Sequence, residues 1–222
     1  MHRRAREVQI GPFVDSPCEE RHRIVLDPGT YLLTQATPLL INRPDRLVCI
    51  HIQGTADNGG PMATVIDGNA PTGTADDPRF DSVFYVGPYG DLVLDGVTVT
   101  RGHHHFIGGG AILNKGDLMI YNSLLTKNST HGRGGAIHNT GDLSVNESTL
   151  SYNWSKPNVL AQAGGAIANV GGSVLMYNVT VSGNRGGLDA DDQRSSAGDG
   201  GGGILNVDGG VFQMNNTTVA DN

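Results

Sequence analysis

The residues best suited to chemistry collect just ahead of a recurring glycine phrase. Arg101-Gly102-His103-His104-His105 precedes Gly108-Gly109-Gly110, and His131-Gly132-Arg133 precedes Gly134-Gly135. Neutral imidazole is a ligand for Zn2+ and its neighbours in the first transition row. His103, His105 and His131 therefore form one candidate metal set, with His138 close by in sequence. No carboxylate or thiol stands in register with them, and a solvated histidine-rich loop is the competing reading. A second cluster, Asp189-Ala190-Asp191-Asp192 with Asp199, offers oxygen ligands for Ca2+. It lacks the twelve-residue spacing of an EF-hand loop, so an acidic surface loop competes with the Ca2+ reading.

What must position these groups is a phrase that occurs four times: Gly109 to Asn114, Gly134 to Asn139, Gly164 to Asn169 and Gly201 to Asn206. The phrase starts are 25, 30 and 37 residues apart. Repetition at this period is the mark of a solenoid. Behind each phrase comes a block that runs from a glycine to an asparagine, Gly116 to Asn128, Gly141 to Asn153, Gly172 to Asn184 and Gly210 to Asn222. Superposed, the blocks give apolar columns. One is Leu92, Leu118, Leu143, Val174, Phe212; the next is Leu94, Ile120, Val145, Met176, Met214; a third is Val99, Leu125, Leu150, Val181, Val219. Polar residues alternate with them at period two, the pattern of strands with one buried face.

Three short strands per repeat with Asn and Gly corners describe an all-β chain, a single-stranded right-handed parallel β-helix. The phrase asparagines Asn114, Asn139, Asn169 and Asn206 are assigned to a structural ladder, their amides bonded from coil to coil. Asn122, Glu147, Asn178 and Asn216 mark another bend, with Gly96 in the same place one coil earlier. Surplus residues fall at one corner, Ser129 to Arg133, Trp154 to Ala163 and Arg185 to Gly200, where loops vary without disturbing the core. The clearest repeats span 90–222, the solenoid 24–222, and residues 1–23 read as a terminal segment or cap.

Composition narrows the function. Glycine numbers 33, aromatic residues make up 5%, and the net charge of −7 disfavours nucleic acid as a partner. No apolar run reaches membrane-spanning length, and the N-terminus lacks the apolar core of a signal peptide. The chain is then cytosolic or begins inside a longer precursor. Cys18 and Cys49 pair if the chain is exported; otherwise one thiol is exposed and the other sits buried in the strand Leu47-Val48-Cys49-Ile50, the slightly favoured reading. Asn128, Asn146, Asn153, Asn178, Asn215 and Asn216 head N-x-Ser/Thr sequons, which an Asn/Ser/Thr-rich repeat also produces by chance.

From Asp27-Pro28-Gly29-Thr30-Tyr31 through Val65-Ile66-Asp67-Gly68-Asn69 to the Gly-Gly-Ala-Ile-x-Asn phrases, the chain resembles bacterial right-handed parallel β-helix repeat proteins of the pectin-lyase-like fold. The phrases are similar to repeats of polymorphic outer-membrane and autotransporter passenger proteins. The resemblance implies a secreted or cell-surface location. Pectin-lyase-like enzymes use Arg or Lys as a base beside Ca2+-binding carboxylates, so Arg101, Arg133, Arg185 and Arg194 become catalytic candidates for a polysaccharide lyase. A hydrolase would instead need paired carboxylates on one strand face. No Asp-Asp pair is expected to project from adjacent strands, where Met119, Ser144, Leu175 and Gln213 are placed facing out.

The leading expectation is a non-catalytic β-helix module, adhesive or carbohydrate-binding. Tyr121, Asn146, Tyr177 and Asn215 would stack on and hydrogen-bond to sugars. A Thr/Ser array (Thr98, Thr100, Thr126, Thr149, Ser151, Thr180, Ser182, Thr218) offers a minor alternative, an ice- or crystal-binding face, though Leu124 and Ala220 interrupt it. The last repeat closes at Asn222 with nothing after it in this sequence, so further coils or a protein partner are expected against that end.

Overall fold

Alternating side chains and glycine corners leave the chain little choice but to coil, and in the computed structural model it does. The structure describes residues 6–10, 18, 21–34, 37–55, 60–70, 81–156, 163–187 and 201–222. One turn runs through Ile112–Asn114, Asp117–Tyr121, Leu124–Thr126 and Ser129–Thr130 before the next phrase begins at Gly134. Equivalent strands stack into four sheets. The broad sheet has eight strands, the threonine sheet seven, the phrase sheet six and the narrow sheet four. All pairings between coils are parallel, as in Leu118↔Leu143 and Leu125↔Leu150.

The narrow sheet adds a fourth face to the three that the alternation predicts. Its strands, His103–His104, Ser129–Thr130, Trp154–Ser155 and Arg185–Gly186, are two residues each. Two residues carry no period, so the sequence pattern cannot announce them.

The predicted apolar columns are the core except at the last coil, where Phe212 is half-buried and Met214 and Val219 are exposed. Leu92, Leu118 and Leu143 stand in register on the broad sheet, as do Leu94, Ile120 and Val145. All six are buried, together with Val99, Leu125 and Leu150 of the threonine sheet. The phrase supplies Ile112, Ile137 and Ile167, each with no accessible surface.

Its two glycines have separate jobs. Gly134 has φ 73°, and a Cβ there would sit 2.0 Å from the Ile137 carbonyl oxygen. A Cβ on Gly135 would meet the Gly165 oxygen of the next coil at 2.2 Å. The first glycine makes the bend and the second lets coils stack.

Two asparagine ladders run the length of the repeats. In the predicted one, Asn114 Nδ2 donates to Asn139 Oδ1 (2.7 Å), Asn139 to Asn169 (2.8 Å) and Asn169 to Asn206 (2.7 Å). The other was visible in sequence only as block ends: Asn128 donates to Asn153 (3.0 Å), Asn153 to Asn184 (2.9 Å) and Asn184 to Asn222 (2.8 Å). Asn128 and Asn153 are fully buried. That removes both from the list of usable sequons in the folded chain. The bend column is confirmed: Asn122, Glu147, Asn178 and Asn216 all have φ between 46° and 54°, and Gly96 has φ 67°.

The first coils differ from the rest. Arg6–Ile10 pairs antiparallel with Arg21–Leu26, covering the outer edge of the broad sheet. The slightly favoured free-thiol reading is overturned: Cys18 and Cys49 form a disulfide across 31 residues. It ties residues ahead of the first parallel strand to Val48–Gly54 in the next one.

Candidate functional site

The inserted corner carries the histidines where the sequence places them. His103 and His131 meet edge-to-face with ring centroids 5.5 Å apart, and His105 and His131 are tilted at 5.2 Å. Coil stacking brings them together, because His103 pairs with Ser129 and the His131 amide donates to the His104 carbonyl oxygen. Ser129 Oγ holds His103 Nδ1 at 2.9 Å. The His105 ring also abuts Phe106 at 4.3 Å. Among the described residues, the one set of three potential ligand atoms that closes to within 4.8 Å is Cys18, Cys49 and Asp91, whose sulfurs are bonded to each other.

The neighbouring histidines His104 and His138 are buried too. His104 Nδ1 accepts from the amides of Phe106 and Ile107, and its Nε2 lies 3.3 Å from Asp81 Oδ1. Burial lowers its pKa, and Asp81 opposes that shift. His138 stands in register with Leu113 and Ala168 on the phrase sheet. Burial, opposed by a bond to the Arg133 backbone, pushes its pKa down to about 4.

The described candidate arginines occupy three different places. Arg101 sits at the bend before the narrow sheet with φ 52°, and it is already engaged. Its Nε and terminal nitrogen donate to the two oxygens of Asp67 at 2.8 and 2.6 Å. Arg133 lies past that sheet, bridged by its backbone to Gly108. Arg185 is in the narrow sheet itself, in register with Trp154. The calls on Asp189, Asp191, Asp192, Arg194 and Asp199 lie outside the described residues.

The broad sheet gathers the sugar-binding candidates. Tyr121, Asn146, Tyr177 and Asn215 form one row in consecutive coils. Exposure grows along the row, from half-buried Tyr121 to open Tyr177 and Asn215. Met119, Ser144, Leu175 and Gln213 form the adjacent outward row, as expected.

The expectation of no paired carboxylates is overturned on the same sheet. Asp91, Asp117 and Asp142 are direct neighbours in three successive coils. Adjacent strands place such residues about 4.8 Å apart. Each opens its strand right after a glycine (Gly90-Asp91, Gly116-Asp117, Gly141-Asp142), which makes it look like part of the turn. Asp91 is buried, bound to Arg21 at 2.7 Å, and its Oδ2 lies 3.1 Å from Cys18 Sγ. Asp117 titrates above the ordinary carboxylate range, through burial first and then through Asp91 and Asp142.

The Thr/Ser residues are in register but do not make a continuous face. Thr98 is buried and donates to the Pro61 oxygen at 2.8 Å, and Leu124 lies between Thr98 and Thr149. At the last coil, Ile204, Phe212, Met214 and Val219 line an open apolar depression. Among the described residues no helix is long and apolar enough to cross a membrane.

Stacked parallel coils, buried asparagine ladders and glycine-paired phrases define a parallel β-helix repeat protein. Within it, residues 122–140 match the Chlamydia polymorphic membrane protein repeat. The matched stretch runs from the Asn122 bend through the threonine and narrow sheets to the ladder residue Asn139. No curated protein and no solved structure matches the chain.

Proposed function

We propose that the chain is a non-catalytic module of a secreted or cell-surface protein that binds glycans on the outer face of its broad sheet. The observation that carries this reading is the row Tyr121, Asn146, Tyr177, Asn215, in register and increasingly open to solvent. Aromatic rings present flat apolar faces to sugar rings, and the amides between them supply donors and acceptors. The surface location draws on the matched repeat, which is that of a membrane protein family. It draws also on the disulfide, since such bonds persist in oxidising compartments.

The test is binding of the purified chain to an array of bacterial and host polysaccharides, alongside the Tyr121→Ala/Tyr177→Ala variant. The reading expects a ligand whose binding the double substitution abolishes. Failure of every glycan on the array would sink it.

A second reading, a polysaccharide hydrolase, gains support from the aspartate row. Retaining glycosidases hold two carboxyl groups about 5–5.5 Å apart. Asp117, whose hold on its proton burial and its neighbours strengthen, would serve as acid and exposed Asp142 as the second carboxylate. Release of reducing ends, lost in both Asp117→Asn and Asp142→Asn, would favour this reading over the binding module.

A further inference from the structure

We propose that His103, His105 and His131 form a binding site for a borderline divalent transition metal, with Zn2+ as its representative ion. The site is independent of the glycan-binding face. Zn–N bonds of about 2.0–2.1 Å in a tetrahedral arrangement put the centroids of two imidazoles on one ion about 5 Å apart. His131 stands 5.5 Å from His103 and 5.2 Å from His105 by that measure. It is the middle ring of three, fixed by the coil on which it sits.

The support of each ring suits its role. His103 is buried, and Ser129 Oγ engages its Nδ1 at 2.9 Å. A hydrogen bond on one ring nitrogen sets the orientation and tautomer with which the other meets a metal, so Nε2 is the ligating atom. His131 is buried and anchored through its backbone to the His104 carbonyl. His105 is half-buried, and its Nδ1 is enclosed with no hydrogen-bond partner. A buried ring nitrogen without a partner loses its solvation, and a metal ion would restore that loss.

His105 is also the arm that must move. As a set the three nitrogens do not yet lie within 4.8 Å of one another. No bond at Nδ1 restrains the turn about its side-chain torsions that closes the set. Lys156, one coil beyond His131, has its ammonium over the Trp154 ring, 5.8 Å from the centroid. Three imidazoles leave a fourth position for water beside exposed Phe106.

The test is titration of the intact chain with Co2+ and Zn2+ after chelator treatment. One equivalent of Co2+ should give the intense visible absorption of a tetrahedral site, displaced by Zn2+. Zn2+ should raise the melting temperature, and chelator should reverse the rise. His105→Gln changes a half-exposed side chain and should fold, which circular dichroism checks. It should weaken binding by at least about 100-fold, while exposed His22→Gln leaves binding unchanged. His131→Gln should abolish binding if it folds, and the His105 variant decides if it does not. Absence of saturable binding, an octahedral Co2+ spectrum, or equal binding by the His105→Gln chain would overturn the proposal.

Discussion

The broad sheet's outer face and the inserted corner are built by the same repeat, yet they treat polar side chains in opposite ways. On the face, Tyr121, Asn146 and Tyr177 repeat in strict register and grow more exposed toward the last coils. At the corner, His103, His104 and His131 are buried, and Arg101 is spent on Asp67. A surface that repeats and stays open suits a long repeating ligand. A corner whose groups are already enclosed holds its own loops in place, and it frees a site only where a ring nitrogen is left over. On this solenoid loop length marks the corner as variable, but burial decides which of its residues remain available.

The sharpest break in this comparison comes from the corner's glycines. Gly135→Val should prevent folding, because even a Cβ meets the Gly165 oxygen at 2.2 Å. Expression and circular dichroism would show it, whereas Ser144→Val on the open face should leave the spectrum unchanged.

Next comes acid. Burial holds the folded pKa of His138 down at about 4, below that of a free imidazole. The folded chain therefore resists protonating it, and stability that is full above about 6.5 falls as the pH drops toward about 4. The loss amounts to about 3 kcal/mol for a shift of this size. His51 and His104, also lowered by burial, pull the same way. In His138→Leu, chemical denaturation at pH 7 and pH 4 should differ by markedly less than in the wild type. An unchanged difference would place the acid sensitivity elsewhere.

Smaller is the Arg101 pair, whose guanidinium is about one-third exposed. Arg101→Ala should cost about 1 kcal/mol in denaturant unfolding. It should leave glycan binding untouched, and loss of binding would move function back to the corner. On the face, Asp117→Asn should raise the melting temperature at pH 7 by removing a charge that burial, and then Asp91 and Asp142, disfavour. A raised acid pKa destabilises the fold once the group ionises, so the gain should shrink as the pH falls into the ordinary carboxylate range. Smallest of all, Tyr177→Ala should shift stability by under about 0.5 kcal/mol, since that ring lies on the surface.

The coil was legible because its signals are local and repeated. Gly134-Gly135 must bend and stack, Ile137 must point inward, and Asn139 must satisfy its own corner. The Tyr121 row was legible for the same reason, being one step of a period-two pattern. The narrow sheet escaped because two residues have no period. The Asn128 ladder was in view only as a block end, since nothing in a lone asparagine says that its amide is buried. Asp117 and its neighbours were hidden by position: the first residue after a glycine reads as turn until pairing shows it opening a strand. The Cys18–Cys49 bond depended on how Arg21–Leu26 meets Val48–Gly54, a contact no spacing reveals.

If binding lies on the open face, as proposed, the corner arginines are dispensable for it. The most direct measurement compares polysaccharide binding by the wild-type chain, Tyr121→Ala/Tyr177→Ala and Arg133→Ala, each with its melting temperature. Binding should be lost in the tyrosine double variant at unchanged melting temperature, and retained in Arg133→Ala. Binding that survives loss of both tyrosines but disappears with Arg133 would contradict it.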